Sequence, residues 1–128
     1  DPRTTPLAKH ADLHLALRPG TDLPVALAIH RHLFEGGFAD RGFLAQHTHN
    51  AEQLRQKALP WTFERAAEEA DVPVELVARL ADWYATTSPA LIRCGWGQER
   101  NRNGGSSSLA ILSLDPQRRQ AARVRLGP

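Results

Sequence analysis

Methionine is absent from all 128 residues of this chain, and cysteine occurs once, as Cys94. Without an initiator residue at Asp1, the chain is expected to be a segment of a longer polypeptide. A single cysteine excludes an internal disulfide and any metal site built here from several thiolates, which leaves a reducing cytosol as the default compartment. Lysine is nearly missing too: only Lys9 and Lys57 occur, so the positive charge is almost all arginine. The formal net charge is only +2, although the isoelectric point is about 9.2. Four arginines, Arg118, Arg119, Arg123 and Arg125, lie beyond the last apolar helix, and the rest of the chain is slightly acidic. The basic isoelectric point therefore does not mark a nucleic-acid-binding face. No apolar run approaches the roughly 20 residues that a membrane span needs, and no stretch reads as a signal peptide. What remains is an ordinary globular composition, 41% hydrophobic and 23% charged, in a chain long enough to bury about two-thirds of its unfolded surface.

Asp1 to Leu7 reads as a loop, because Pro2 and Pro6 oppose a helix. Ala11 to Leu17 alternates, with Leu13, Leu15 and Leu17 on one face, which predicts a strand. The turn Arg18-Pro19-Gly20-Thr21-Asp22 delivers a helix that Thr21 or Asp22 can cap, and Gly36-Gly37 ends it. Shorter helices are expected from Asp40 to about His47, with Phe43 and Leu44 inward, and over Ala51 to Leu59. Thr62 can cap a helix through Ala70, and Pro73 can open another whose face is Val77, Leu80, Ala81 and Tyr84. Ala90 to Cys94 is a short apolar run of the kind found in strands buried on both faces, with Cys94 as a small core residue. Gly95 to Arg102 is a glycine- and arginine-bearing loop, and Ser106 to Leu114 continues as a helix. The fold class is α/β: a helix-rich, incomplete Rossmann-like unit with a small parallel sheet joined by a right-handed crossover. Two strands alone do not stabilise such a sheet, which again points to an incomplete unit.

Three stretches carry candidate chemistry. In the third, Gly95 and Gly97 allow a sharp turn and close approach to a ligand, Arg100 and Arg102 suit a phosphate, and the following helix presents free amides to an anion. A plain strand-to-helix turn with solvated arginines is the other reading, for the third glycine of the dinucleotide fingerprint is missing. The loop Leu17 to Asp22 ends the first strand, and strand-end loops gather on one side of a parallel sheet. Asp1 to Thr5 joins them there if it follows a strand outside this chain. An aspartate such as Asp22 can accept paired hydrogen bonds from a guanine edge or ribose hydroxyls, which is compatible with capping a helix. The six histidines are read as surface or helix-edge residues, since His30 and His32 point apart and no set converges on a metal.

Asp1-Pro-Arg-Thr-Thr, the Ala11 to Asp22 stretch and the Gly95-Trp-Gly-Gln-Glu-Arg-Asn-Arg-Asn-Gly-Gly105 loop, in this order, resemble the molybdopterin oxidoreductases, the family of formate dehydrogenases, periplasmic nitrate reductases and dimethyl sulfoxide reductases. The resemblance runs from Asp1 to about Leu114. It implies a piece of the catalytic subunit that grips one molybdopterin guanine dinucleotide, the molybdenum cofactor. Asp1, Pro2, Arg3, Thr4, Thr5, Gly20, Thr21 and Asp22 would line its guanosine and diphosphate end, with Asp22 reading guanine and Arg3 or Arg100 facing the diphosphate. Trp96 and Arg100 would approach from the third loop. No catalytic residue and no metal ligand is expected in this chain, because the family's molybdenum ligand and iron–sulfur cysteines lie upstream. The implied partners are the rest of the catalytic subunit and a small substrate, with no nucleic acid and no membrane span; the intact enzyme would be cytoplasmic, or periplasmic in some members. Residues 115–128 depart from the family pattern and read as an arginine-rich tail, disordered or out of family. A non-enzymatic nucleotide-binding module and an inactive gene remnant are the competing readings.

Overall fold

The computed structural model describes residues 1–114; the arginine-rich tail expected over 115–128 lies outside the described residues. Six helices follow one another: α1 (Asp22–Glu35), α2 (Arg41–His47), α3 (Ala51–Ala58), α4 (Phe63–Ala70), α5 (Val74–Thr86) and α6 (Gly104–Leu112). Short 3-10 turns at Ala8–His10 and Gln98–Arg100 precede the two stretches that lead into α1 and α6. Among the described residues no helix is long and apolar enough to cross a membrane.

Helix α1 is the centre of the packing, lying against α3, α4, α5 and α6. Every residue from Pro24 to His30 is buried, which is the mark of a helix covered on nearly all sides rather than along one stripe. Val25, Ala28, Ile29 and Leu33 meet Ala66, Ala67 and Ala70 of α4 and Val77, Ala81 and Tyr84 of α5 in one cluster. The many alanines matter, because small side chains let these helix backbones approach closely. His30 is fully buried, and its Nε2 lies 2.7 Å from the Ala110 carbonyl oxygen. A carbonyl only accepts, so that nitrogen carries the proton and ties α1 to α6. His32, two residues on, faces the other way, with Nε2 3.0 Å from Asp82 Oδ1 of α5 and its ring against Phe38 and Phe63.

The local signals account for the helix ends. Asp40 accepts a hydrogen bond from the Phe43 amide at 2.9 Å, and Thr62 from the Arg65 amide at 3.2 Å, so each caps the helix that follows. At the end of α1, Gly37 takes φ +73°, and the amides of Phe38 and Ala39 return to the Leu33 carbonyl at 3.0 Å. Thr21 differs from expectation. It stands at the cap position of α1, but its hydroxyl donates backwards to the Arg18 carbonyl at 2.6 Å and caps nothing. Helix α6 begins at Gly104, two residues ahead of the serine run.

The expected parallel sheet is not formed among the described residues. Residues 11–17 and 90–94 lie outside the helices but carry no ladder. Their alternation is nevertheless real, for Leu15, Leu17, Ala90 and Ile92 pack against the core while Leu91 is 89% exposed. A strand exists only by backbone pairing with a neighbour, and neither stretch finds one here. Two side chains expected inside are outside for related reasons. Cys94 is exposed because the covered side of its stretch stops at Ile92. Phe43 is 42% exposed and lies against the His47 ring, since the seven-residue α2 buries only Leu44.

Leu33 is completely buried at the centre of the cluster. Leu33→Ala is expected to lower unfolding free energy by about 2–5 kcal/mol in denaturant titration; a loss under half a kcal/mol would contradict the central place given to α1. Glu64, in the first turn of α4, is held below its ordinary value of 4.5 by its own backbone amide and then by the Thr62 hydroxyl; desolvation opposes them, and the Arg31 charge adds the least. A carboxyl whose folded pKa is depressed contributes stability above its unfolded pKa and loses it as pH falls through the folded one. The melting temperature should therefore drop as pH goes below about 4.5, and Glu64→Gln should flatten part of that slope. An identical pH profile for both proteins would show that the cap does not hold the charge.

Candidate functional site

The turn after residues 11–17 is fixed by its arginine. The Arg18 amide donates to the Ala70 carbonyl at 2.9 Å, and Nε of the same residue donates to the Glu69 carbonyl at 3.0 Å, with Nη2 on that oxygen as well. The last carbonyls of α4 have no partners within their own helix, and a guanidinium there satisfies them while meeting the negative end of the helix dipole. Gly20 then takes φ +88°, a left-handed value that any side chain would strain. Thr21, buried, closes the turn with its amide and hydroxyl both on the Arg18 carbonyl.

The second loop is built from close backbone approach. The amides of Arg100 and Asn101 return to the carbonyls of Gly97 and Gln98 at 3.3 and 3.1 Å, and Asn101 Nδ2 donates to the Gly97 carbonyl at 3.2 Å. Gly104, the first residue of α6, lies so near this turn that a Cβ there would stand 2.2 Å from the Gln98 carbonyl oxygen. Only glycine fits. Gly95 and Gly97 are the opposite case, with no atom within 4 Å of where a Cβ would be, so their backbone faces open space. Trp96 between them is 84% exposed.

These two loops meet. Asn103 Nδ2 donates to the Gly20 carbonyl at 2.9 Å, and a Cβ on Gly20 would lie 3.3 Å from Asn101 Oδ1. With Gly20 beside Asn103 and His30 beside Ala110, helices α1 and α6 must run side by side in the same direction. Each contact lies at a similar depth, about 12 Å into α1 and about 9 Å into α6 at 1.5 Å per residue. Both amino termini, each the positive end of its dipole, therefore open at one end of the molecule. The first turn of α1 carries Asp22, whereas that of α6 carries no acidic residue. Asp22 is half-buried and has no hydrogen-bond or ion-pair partner among the described residues. Arg100 and Arg102 are exposed, and neither is in an ion pair among them.

Of the residues singled out from sequence, Gly20, Thr21 and Asp22 lie on one of the two joined loops, and Trp96 and Arg100 lie on the other. Asp1 to Thr5 does not join either loop by any bond among the described residues. Asp1 accepts at its carbonyl from His14 Nε2 at 2.8 Å and at Oδ1 from the Arg3 amide at 2.9 Å, while Arg3 Nε stands 3.6 Å from the same carboxylate. Thr5 Oγ1 accepts from the Ala8 amide at 3.2 Å, and Pro2 and Thr4 are exposed. Arg18, Asn101, Asn103 and Gly104 were not singled out, although an asparagine followed by glycine just before a helix is itself a cap signal. Among the described residues no three histidine, cysteine, aspartate or glutamate side chains group as metal ligands.

No protein-family profile matches the chain. It is 37% identical over 104 residues to the probable oxidoreductase YoaE of Bacillus subtilis, covering 81% of this chain and 15% of that protein. It is 36% identical over 92 residues to the thiosulfate reductase molybdopterin-containing subunit PhsA of Salmonella typhimurium, covering 72% of this chain and 12% of the relative. Among solved structures, acetylene hydratase from Pelobacter acetylenicus superimposes with a TM-score of 0.85 at 26% identity, over 91% of this chain and 16% of that one. Matching the relatives over most of its own length while spanning about a seventh of theirs, the chain belongs to the molybdopterin oxidoreductase family.

Proposed function

We propose that this chain is part of the catalytic subunit of a molybdenum-dependent oxidoreductase and that its paired loops grip the guanosine and diphosphate end of a molybdopterin guanine dinucleotide. The observation that carries this reading is the junction of the 18–22 and 95–103 loops at the shared amino-terminal end of α1 and α6. Such an end attracts anions, because unpaired amides and two helix dipoles point the same way.

The donor set fits such a group. Asp22 supplies a carboxylate without a partner among the described residues, which suits the two donors on a guanine edge. At the end of α6, free of acid in its first turn, Arg100 suits the diphosphate, and the open backbone at Gly95 and Gly97 lets a ligand approach. Gly20 and Thr21 shape the floor between them, and Trp96 supplies an exposed ring beside the same loop. Asp1, Pro2, Arg3, Thr4 and Thr5 line the cofactor from the side on this reading, with Arg3 a second cation for the diphosphate.

Residues 11–17 and 90–94 would be strands of a parallel sheet whose remaining members belong to the rest of the subunit; their one-sided burial supports this. The bound cofactor supplies two-electron redox chemistry on a small substrate, while this chain contributes binding, orientation and electrostatics. The molybdenum ligand and any iron–sulfur cluster belong outside these 128 residues. With a single cysteine and no disulfide to preserve, a cytoplasmic setting is the simplest.

Asp22→Ala in the full-length subunit is expected to lower molybdenum bound per polypeptide about tenfold, as lost charged hydrogen bonds of this kind do. Metal analysis of the purified protein reads it, and unchanged metal content with unchanged activity would remove Asp22 from the site.

A further inference from the structure

Asparagine at the cap position of a helix ordinarily accepts a hydrogen bond from an amide of the first turn. Asn103 holds that position in α6, yet its side chain makes no capping bond. Its carboxamide is turned instead to the other loop, where Nδ2 donates to the Gly20 carbonyl at 2.9 Å across 83 positions of sequence. Gly20 is also close-packed against the Asn101 side chain and held in the left-handed region, so its carbonyl has little freedom to be elsewhere. The chain on either side is short. Asp22 follows Gly20 by two residues, and Arg100 precedes Asn103 by three, so this bond is the most direct bridge between the two groups assigned to base and diphosphate.

We propose that Asn103 is a positioning residue which, through the Gly20 carbonyl, sets the placement of Asp22 relative to Arg100, so that a single guanosine diphosphate group meets both. This rests on the roles given above to Asp22 and Arg100. Asn103 itself touches no ligand in this account. Without the bond each loop keeps its own internal hydrogen bonds, which for 18–22 run to Arg18 and α4 and for 95–103 run to Gly97 and Gln98. What is lost is their common register, and with it base discrimination rather than anion binding.

The test titrates the cofactor-free full-length subunit with GDP, ADP and inorganic pyrophosphate by isothermal titration calorimetry. The wild-type subunit is expected to prefer GDP to ADP by about tenfold or more, the ratio that one charged hydrogen-bonded contact supplies. Asn103→Ser puts another residue favoured at helix caps in that position and adds no charge, but its hydroxyl is too short to reach Gly20. In this variant the preference should fall to about twofold or less, while pyrophosphate affinity stays within about threefold and the melting temperature is nearly unchanged. Should the serine variant not fold, Asn103→Asp, isosteric and also a strong cap but lacking the amide donor, is read by the same GDP-to-ADP ratio, in which its added charge cancels. A folded variant that keeps the full preference overturns the proposal. So does an equal loss of all three ligands, or failure of both variants to fold, since each makes Asn103 a general structural residue. A wild-type subunit with no preference for GDP overturns the guanine reading of Asp22 itself, and this inference with it.

Discussion

The burial of α1 on nearly every side is the constraint from which the rest of the structure follows. A helix that must be covered by α3, α4, α5 and α6 cannot shift along its axis without disturbing all of them. Its depth is further pinned by His30, whose ring donates to a backbone carbonyl inside α6. An amide or ring donor in such a place is costly to leave unpaired, so the bond resists sliding as well as separation. Both amino termini are thereby brought to one end, and the loops that feed them have to meet.

What could be read from the sequence and what could not divides along the range of the interaction. Helix ends at Asp40, Thr62 and Gly36-Gly37 were legible because caps and glycine turns act over three or four residues. The periodic face of Val77, Ala81 and Tyr84 was legible for the same reason. Candidate strands were recognised by alternation, but alternation reports only which side is covered; a strand also needs a neighbour, and pairing is not a local property. Phe43 and Cys94 were misplaced because hydrophobic type says nothing of where a small core stops. Family likeness singled out Gly20, Thr21, Asp22, Trp96 and Arg100 as candidates, yet the contact that gathers their loops, Asn103 to Gly20, joins residues 83 apart and leaves no pattern in either neighbourhood.

Arg18 shows how a residue outside the proposed site shapes it. Its guanidinium is spent on the carbonyls that end α4, so it is not a free cation for an anion at the junction. The turn that follows is consequently anchored on one side to α4 and on the other to the loop before α6, with Gly20 between the two anchors. Glycine is needed there for its left-handed φ, and the absence of a side chain also admits the Asn101 carboxamide.

The charges at the junction are ordered rather than merely mixed. Two parallel helices set their positive ends side by side, an arrangement that repels in the absence of compensating charge. At α1 the compensation is built in, because Asp22 lies in the first turn; at α6 it is not, and the loop before it adds Arg100 and Arg102 against Glu99 alone. An anionic group is therefore drawn toward α6 and turned away from α1, while a group rich in hydrogen-bond donors is drawn the other way. A nucleoside diphosphate has that polarity, anionic at one end and, for guanine, donor-bearing at the other. The same ordering argues against an inorganic anion as the natural occupant, since such a group would satisfy α6 and leave the Asp22 carboxylate without a partner.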